Sequence, residues 1–297
     1  MTDIFRVTLS AHIKTTDGIA LQFPLLASVK FDGIRAYVKD GTVWSRANKP
    51  IPNLHVQYLF RDMELADSEL IVGNPADVGC YRKTESAVMS EDGKPDVRMF
   101  AFDMIEPATV PFRARDKALG KLAVHNPHVV HVQQVTVHTY DELLEFEKNV
   151  LAQGHEGVML RKPDSPYKHG RSTVREGYLI ALKRFVDGEA VILSAYEQET
   201  NLNEKLKNAV GLSARSSHKA GKQANGRLGG FVVRDIKTGE KFKIGTFLGV
   251  SLEDRALWWT KAKSFEGKTI KYRYQLVGGY AKPRQPIFLG FRSKVDM

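Results

Sequence analysis

The chain has 297 residues, 42% of them hydrophobic, with 44 Lys and Arg against 34 Asp and Glu for a formal net charge of +10. That length supports two compact domains with cores of their own. No apolar run is long enough to span a bilayer, and the opening stretch Met1–Arg6, broken by Arg6 and Thr8, is too short for a secretory signal, so a cytoplasmic place of action is expected. The lone Cys80 excludes internal disulfides and a cysteine-built zinc site, which fits a reducing compartment.

Hydrophobic periodicity predicts a strand and hairpin over 25–46, a helix over 54–66, a strand over 67–73, a short helix over 84–90 and a strand over 97–105. A helix near 113–122, a strand near 129–137, a helix over 140–153 and strands over 156–162 and 178–185 follow. The pattern is α+β with mixed sheets. The polar break Val186-Asp187-Gly188 suggests a boundary, with domains 1–186 and 187–297. Beyond it, apolar runs at 189–196, 229–235, 241–247, 269–276 and 286–291 predict five strands, and a helix over 252–263 opens on a capping box from Ser251 to Asp254. Five strands, one helix and a basic balance suggest an OB-fold barrel, whose common ligand is nucleic acid. Trp258 and Trp259 are adjacent on that helix, so only one of them is expected to point fully inward.

Charge is uneven along the chain. Residues 1–184 carry 24 basic against 23 acidic side chains, and residues 185–297 carry 20 against 11. A near-neutral first part beside a second part of net +9 points to a polyanionic partner for the second. Between its first two predicted strands, segment 199–228 is rich in Lys, Asn, Ser and Gly, and reads as a long structureless loop.

The chemistry concentrates in Lys30-Phe31-Asp32-Gly33-Ile34-Arg35, a K-x-D-G-x-R hexapeptide followed by Ser45-Arg46. An amine attacks phosphorus only when it is neutral and aimed, and a pocket supplies both through desolvation and cationic neighbours. Gly33 lets the backbone pass close to a nucleotide, Asp32 can accept from a sugar, and Arg35 has a two-pronged grip for phosphate or carboxylate. Alone, the hexapeptide also fits a plain D-G hairpin turn. Further on, Glu69 ends an apolar segment, Phe100-Ala101-Phe102-Asp103 is an aromatic strand with a terminal acid, Glu156-Gly157-Val158-Met159 puts a carboxylate before an apolar run, and Leu182-Lys183 ends a strand. Each piece has a bland explanation alone; their joint occurrence in this order does not.

With those segments, and with Gly170-Arg171-Ser172-Thr173, Arg215-Ser216-Ser217-His218-Lys219 and the tail from Arg284 through Arg292 to Asp296, the chain resembles the ATP-dependent DNA ligases of the minimal viral type. The resemblance implies a nucleotidyltransferase domain followed by an OB-fold domain, and a monomer that uses ATP and Mg²⁺ or Mn²⁺ to seal nicked duplex DNA in replication and repair. It makes Lys30 the nucleophile that takes AMP from ATP, and Lys183 the cation that neutralises the α-phosphate. Arg35, Arg46 and Arg171 would grip phosphates or the nick's 5′-phosphate. Glu69 would bind the ribose or lie near the metal, Phe102 would stack on adenine, and Glu156 would help to hold Mg²⁺. Segment 199–228 would be a latch around DNA, its Lys205, Lys207, Arg215, Lys219, Lys222 and Arg227 meeting phosphates. Arg284 and Asp296 belong to the tail that would swing over ATP, which requires a domain movement. One departure is plain: family members end the nucleotide pocket with a K-x-K pair, whereas this chain reads Ala181-Leu182-Lys183. Arg184 lies on the other strand face, so it is a poor substitute. An mRNA capping guanylyltransferase shares the hexapeptide but uses GTP. A non-catalytic nucleic-acid binder would not need Lys30, Glu69, Glu156 and Lys183 together.

Overall fold

The computed structural model describes residues 5–13, 21–77, 79–207, 213–216, 218–275 and 282–292. The chain divides into two compact units, and the break falls between Arg184 and Phe185.

In chain order the first unit contains β1 (Ala11–Ile13), β2 (Leu25–Lys30), β3 (Ile34–Lys39), β4 (Thr42–Ser45), α1 (Leu54–Phe60), β5 (Ala66–Val72), α2 (Cys80–Val88) and β6 (Val97–Met104). It continues with α3 (Phe112–Ala123), β7 (Val129–His131), β8 (Val135–Val137), α4 (Tyr140–Ala152), β9 (Gly157–Arg161) and β10 (Ile180–Leu182). Two mixed five-stranded sheets result, in the orders β1-β10-β9-β2-β8 and β4-β3-β5-β6-β7.

Alternation along the strands gives each sheet a greasy face and a chemical face. In the first sheet Ala11, Ile13, Leu25, Ala27, Val158, Leu160, Ile180 and Leu182 pack against Leu143 and Val150 of α4. The intervening residues His12, Ser28, Lys30, Gly157, Met159 and Ala181 therefore lie on the opposite face. In the second sheet Ile34, Ala36, Val38, Leu70, Met99 and Ala101 pack with Val56, Phe60, Val88 and Leu119 of the helices. That leaves Arg35, Tyr37, Asp67 and Glu69 on the other side. The two chemical faces meet, since Arg161 of β9 pairs with the fully buried Asp103 of β6. Arg115 of α3 donates to the same carboxylate at 2.9 Å.

Several boundaries differ from the periodicity reading. The helix expected over 54–66 stops at Phe60, and Leu65, at φ 66°, turns the chain into β5. The strand near 129–137 is two strands in different sheets, because the chain crosses from one sheet to the other after Val132 donates to the Ala101 carbonyl at 2.8 Å. β1 has no counterpart in the reading; three residues with one polar among them carry too little pattern.

The second unit contains β11 (Phe185–Asn201), β12 (Lys205–Lys207), β13 (Ser213–Arg215), β14 (Lys222–Asp235), β15 (Lys241–Ile244), β16 (Thr246–Phe247), α5 (Leu252–Thr260), β17 (Thr269–Gln275) and β18 (Arg284–Phe291). Its main sheet runs β15-β14-β11-β17-β18-β16, and β12 and β13 form a separate ribbon. The five strands expected are thus six, and among the described residues no pairing closes them into a barrel. The core gathers Phe231, Phe242, Phe265, Tyr272 and Phe288, with both Trp258 and Trp259 half-buried against it, so neither indole turns fully inward. The capping box of α5 is present: Ser251 Oγ accepts from the Asp254 amide at 3.0 Å and Asp254 Oδ2 from the Ser251 amide at 3.2 Å.

Two features of this unit correct the sequence reading. Val186-Asp187-Gly188 is no break, because β11 runs straight through it in register with β17. Asp187 is held there by Arg273 at 2.6 Å and Lys271 at 3.0 Å. Segment 199–228 is no structureless loop either, since β11 and β14 extend into it with Glu199 opposite Ala224 and Asn201 opposite Lys222. The backbone groups of so long an excursion find partners in a ladder that polar composition does not advertise.

Candidate active site

Lys30 is the last residue of β2, opposite Gly157, so the ammonium leaves the sheet where β9 begins. Glu156, immediately before β9, is only 4% exposed and takes Lys30 on one carboxylate oxygen. Its other oxygen accepts from Lys183 Nζ at 2.5 Å. Lys183 directly follows β10 and is fixed by its own amide, which donates to the Ile13 carbonyl at 3.1 Å. Burial by itself would push the Glu156 carboxyl up, but the two ammonium groups override it and hold the group down at about 2. So acidic a carboxylate is a poor proton acceptor. Its role is electrostatic: it aims two cations at one point.

The glycine of Glu156-Gly157 is dictated by this junction. A Cβ on Gly157, whose φ is 155°, would lie 2.4 Å from the Leu182 carbonyl oxygen. Gly33 serves the same purpose on the second sheet, where a Cβ would lie 2.2 Å from the Leu70 carbonyl. With that gap closed, the Gly33 amide donates to Glu69 Oε1 at 3.1 Å. Glu69 is half-buried on β5, and burial pushes its carboxyl up to about 7 against the pull of Lys30 and Arg35.

Phe102 owes its position to a bulge. In the β5–β6 pairing Asp67 is opposite Asp103 and Ser68 opposite Ala101, so Phe102 is the extra residue, and bulges re-aim side chains. The Arg35 guanidinium lies 4.8 Å from its ring centre and that of Arg161 5.9 Å. Arg35 itself is forked onto Asp67, both contacts at 2.7 Å, and Tyr167 donates to the same carboxylate at 2.6 Å. Its guanidinium is therefore occupied by a protein carboxylate, which raises its pKa further after opposing burial, and in this arrangement it braces the Phe102 ring.

The structure thus brings Lys30, Glu156 and Lys183 into contact, with Glu69 tied to the hexapeptide through Gly33, and Phe102 set by Arg35. Other expected residues stand apart. Arg46 is exposed, linked to the hexapeptide only by its amide, which donates to the Arg35 carbonyl at 3.3 Å. Arg171 is exposed and donates to the Ser10 carbonyl at 2.7 Å. Arg184 forks onto Glu147 of α4 at 2.6 and 2.8 Å, on the helix-covered side of the sheet. In the second unit Lys205, Lys207 and Arg215 lie on the ribbon strands, Lys219 is exposed, Lys222 and Arg227 are half-buried along β14, and Arg284 begins β18. Asp296 lies outside the described residues. Sequence reasoning missed Asp67, Tyr167 and His12. Asp67 stands two residues before Glu69 on the same strand face, a period-2 signal that was available; the other two had none.

Among the described residues no three His, Cys, Asp or Glu side chains cluster as a metal cage. Glu156 and Glu69 fit a hard cation only in the manner of Mg²⁺, whose remaining ligands would be phosphate oxygens and water. Among the described residues no helix is long and apolar enough to cross a membrane.

An aimed lysine, a shared carboxylate, a second lysine and an aromatic shelf between two mixed sheets define a covalent nucleotidyltransferase. Residues 11–183 match the model of the ATP dependent DNA ligase domain, and residues 220–292 that of the DNA ligase OB-like domain. The chain belongs to the ATP-dependent DNA ligase family. It is similar to Chlorella virus DNA ligase-adenylate at 30% identity, covering 97% of this chain and 99% of that one with a TM-score of 0.54. The Lig E DNA ligases, described as binding DNA with a minimal scaffold, match at 25% identity over 97% of this chain and 99% of theirs, with a TM-score of 0.71. A DNA ligase of Archaeoglobus fulgidus is 28% identical over 147 residues, 48% of this chain but only 21% of that relative's length.

Proposed function

We propose that the protein seals nicks in duplex DNA with ATP. The observation that carries this reading is the shared carboxylate: Glu156 binds Lys30 and Lys183 at once, so nucleophile and charge-neutralising cation converge on one phosphorus. Lys30 Nζ attacks the α-phosphorus, the bond to the bridging oxygen breaks, and pyrophosphate leaves with the electron pair while the amine loses its proton. The lysyl-AMP then passes AMP to the nick's 5′-phosphate, and the 3′-hydroxyl displaces AMP to form the phosphodiester. Such transfer depends on position and positive charge more than on acid–base groups, which matches a site of lysines around a carboxylate too acidic for a base. Phe102 offers adenine a flat apolar face, and Glu69 lies within reach of a ribose bound over the hexapeptide. A divalent cation, held by Glu156 and Glu69 together with the phosphates, would neutralise the leaving pyrophosphate.

Most of the DNA contact falls to the second unit, with its excess of basic residues. Lys205, Lys207, Arg215, Lys219, Lys222 and Arg227 of segment 199–228 are proposed to meet phosphates of nicked duplex, with Arg46 and Arg171 at the 5′-phosphate. Such contacts are blind to base sequence and weaken steeply with salt. Arg284 and Asp296 are assigned to pyrophosphate orientation during self-adenylation; truncating the last residues should impair that step more than sealing of a pre-adenylated nick, and equal loss in both assays refutes the assignment. The primary test is label transfer from α-labelled ATP with Mg²⁺. Label is expected on the wild type and absent from Lys30→Ala, followed by sealing of a nicked duplex. Label from GTP instead would indicate capping chemistry, and no label from either nucleotide would overturn the reading.

A further inference from the structure

His12 was not among the expected site residues, yet the sheet places it in the site. It occupies the middle of edge strand β1 and pairs with Ala181, which lies next to Met159, which lies next to Ser28. These four residues form one row across four adjacent strands. The next row is Lys183, Gly157 and Lys30. Ala11 and Ile13 are both buried in the core under α4, so the His12 side chain must emerge on the face that carries Lys30 and Lys183. His12 is exposed as a residue, with its ring partly desolvated against the sheet.

Its surroundings agree. Burial first, and then the positive charges of Lys183, Arg171 and Lys30, lower its pKa, while Glu156 opposes them. Those are the charged groups of the site itself, reached from β10, β2 and the turns beside β9 and β1. Adjacent strands are about 5 Å apart and diagonal neighbours on one face about 7–8 Å, within the combined reach of a histidine and a phosphate bound at Lys183. Beside His12, Ala181 contributes only a methyl group, fully buried. Any positive or N–H contact to phosphate at that point of the row must therefore come from a neighbouring strand.

We propose that His12 is a phosphate-binding residue of the adenylation site, its imidazole N–H meeting the triphosphate beside Lys183 at the point where Ala181 has nothing to offer. The inference rests on the ATP reading above. A triphosphate arriving among Lys30, Lys183 and Arg171 offsets the cationic field on the ring and gives its N–H an anionic acceptor.

The experiment measures lysyl-AMP formation from α-labelled ATP in wild type, His12→Ala, His12→Lys and His12→Phe across a range of ATP concentrations, together with thermal unfolding of each variant. His12→Ala and His12→Phe should lower kcat/KM for self-adenylation by about 10- to 100-fold, the size of one charge-assisted hydrogen bond, mainly through KM. His12→Lys should stay within about fivefold of wild type, and all midpoints should coincide because the residue is exposed. A His12→Ala protein that labels at the wild-type rate at every ATP concentration overturns the proposal. Equal loss in His12→Ala and His12→Lys with a lowered melting midpoint also overturns it, by showing a structural role. If the wild type takes no label, the ligase reading itself fails, and that outcome is distinct from either.

Discussion

Two charged clusters occupy the space between the sheets of the first unit, and they are built on opposite principles. The cluster around Asp67 and Asp103 is saturated: Asp67 holds both prongs of Arg35 and the Tyr167 hydroxyl, and Asp103 holds Arg115 and Arg161, with both carboxylates fully buried. Every strong donor there is matched by a strong acceptor, so the arrangement locks the sheets and leaves Phe102 only one place to stand. Around Glu156 one carboxylate serves two lysines, whose side chains remain 19% and 17% exposed. The first cluster is sealed from solvent, whereas the second keeps its two lysines partly open to an incoming anion.

This contrast predicts which mutations act on chemistry and which on folding. The largest effect should come from Lys30→Ala, which removes the amine proposed as nucleophile: self-adenylation is expected to vanish, with a melting midpoint near that of wild type, as label transfer and calorimetry would show. Residual labelling at more than about one part in 10⁴ would mean another group forms the covalent bond. Asp103→Ala should do the reverse, because it strands Arg115 and Arg161 without a counter-charge. A loss of about 3–5 kcal/mol of stability is expected in denaturant titration, and a loss under about 1 kcal/mol would remove the distinction between the clusters.

Glu156→Gln falls between. It should slow self-adenylation by about 100-fold or more, the loss expected when an electrostatic anchor is neutralised, at a smaller stability cost than Asp103→Ala. Because its carboxyl is held at about 2, Glu156 stabilises the fold above the ordinary carboxylate range, and that contribution is lost as pH falls from about 4.5 toward 2. Acid titration of the Gln variant should therefore lack that part of the transition.

Glu69 has the opposite sign and should give the smallest effect. With its folded pKa raised to about 7, its ionisation opposes folding, so its favourable share is complete below about 4.5 and is lost as pH rises to 7. Glu69→Gln should be more stable than wild type at pH 8, by up to about 2 kcal/mol, and indistinguishable at pH 4. A variant destabilised equally at both pH values would show that the Gly33 contact, and not the charge, dominates.

Lys30, Glu156 and Lys183 were legible along the chain because they flank strand ends, where an apolar run closed by a charge leaves a visible signature, whereas Glu69 lies in the middle of β5 and Phe102 at a bulge within β6. The capping box of α5 was legible for the same local reason. The ladder through 199–228 was not, because polar residues pair backbone to backbone without leaving a hydrophobic pattern. Nor was the occupation of Arg35 by Asp67: the residue was correctly picked out as a fork, but which anion fills the fork depends on which strand becomes its neighbour.

The sequence by itself determined the two-part organisation, the basic second part and the family, since all of these reside in composition and in motifs a few residues long. Only the tertiary structure decided that Glu156 joins lysines from two strands separated by more than a hundred residues of chain, that a bulge aims Phe102, and that His12 stands beside Ala181. Sheet order and register fix these, and a strand's neighbours are chosen by the burial of whole faces, not by any spacing that can be counted along the chain.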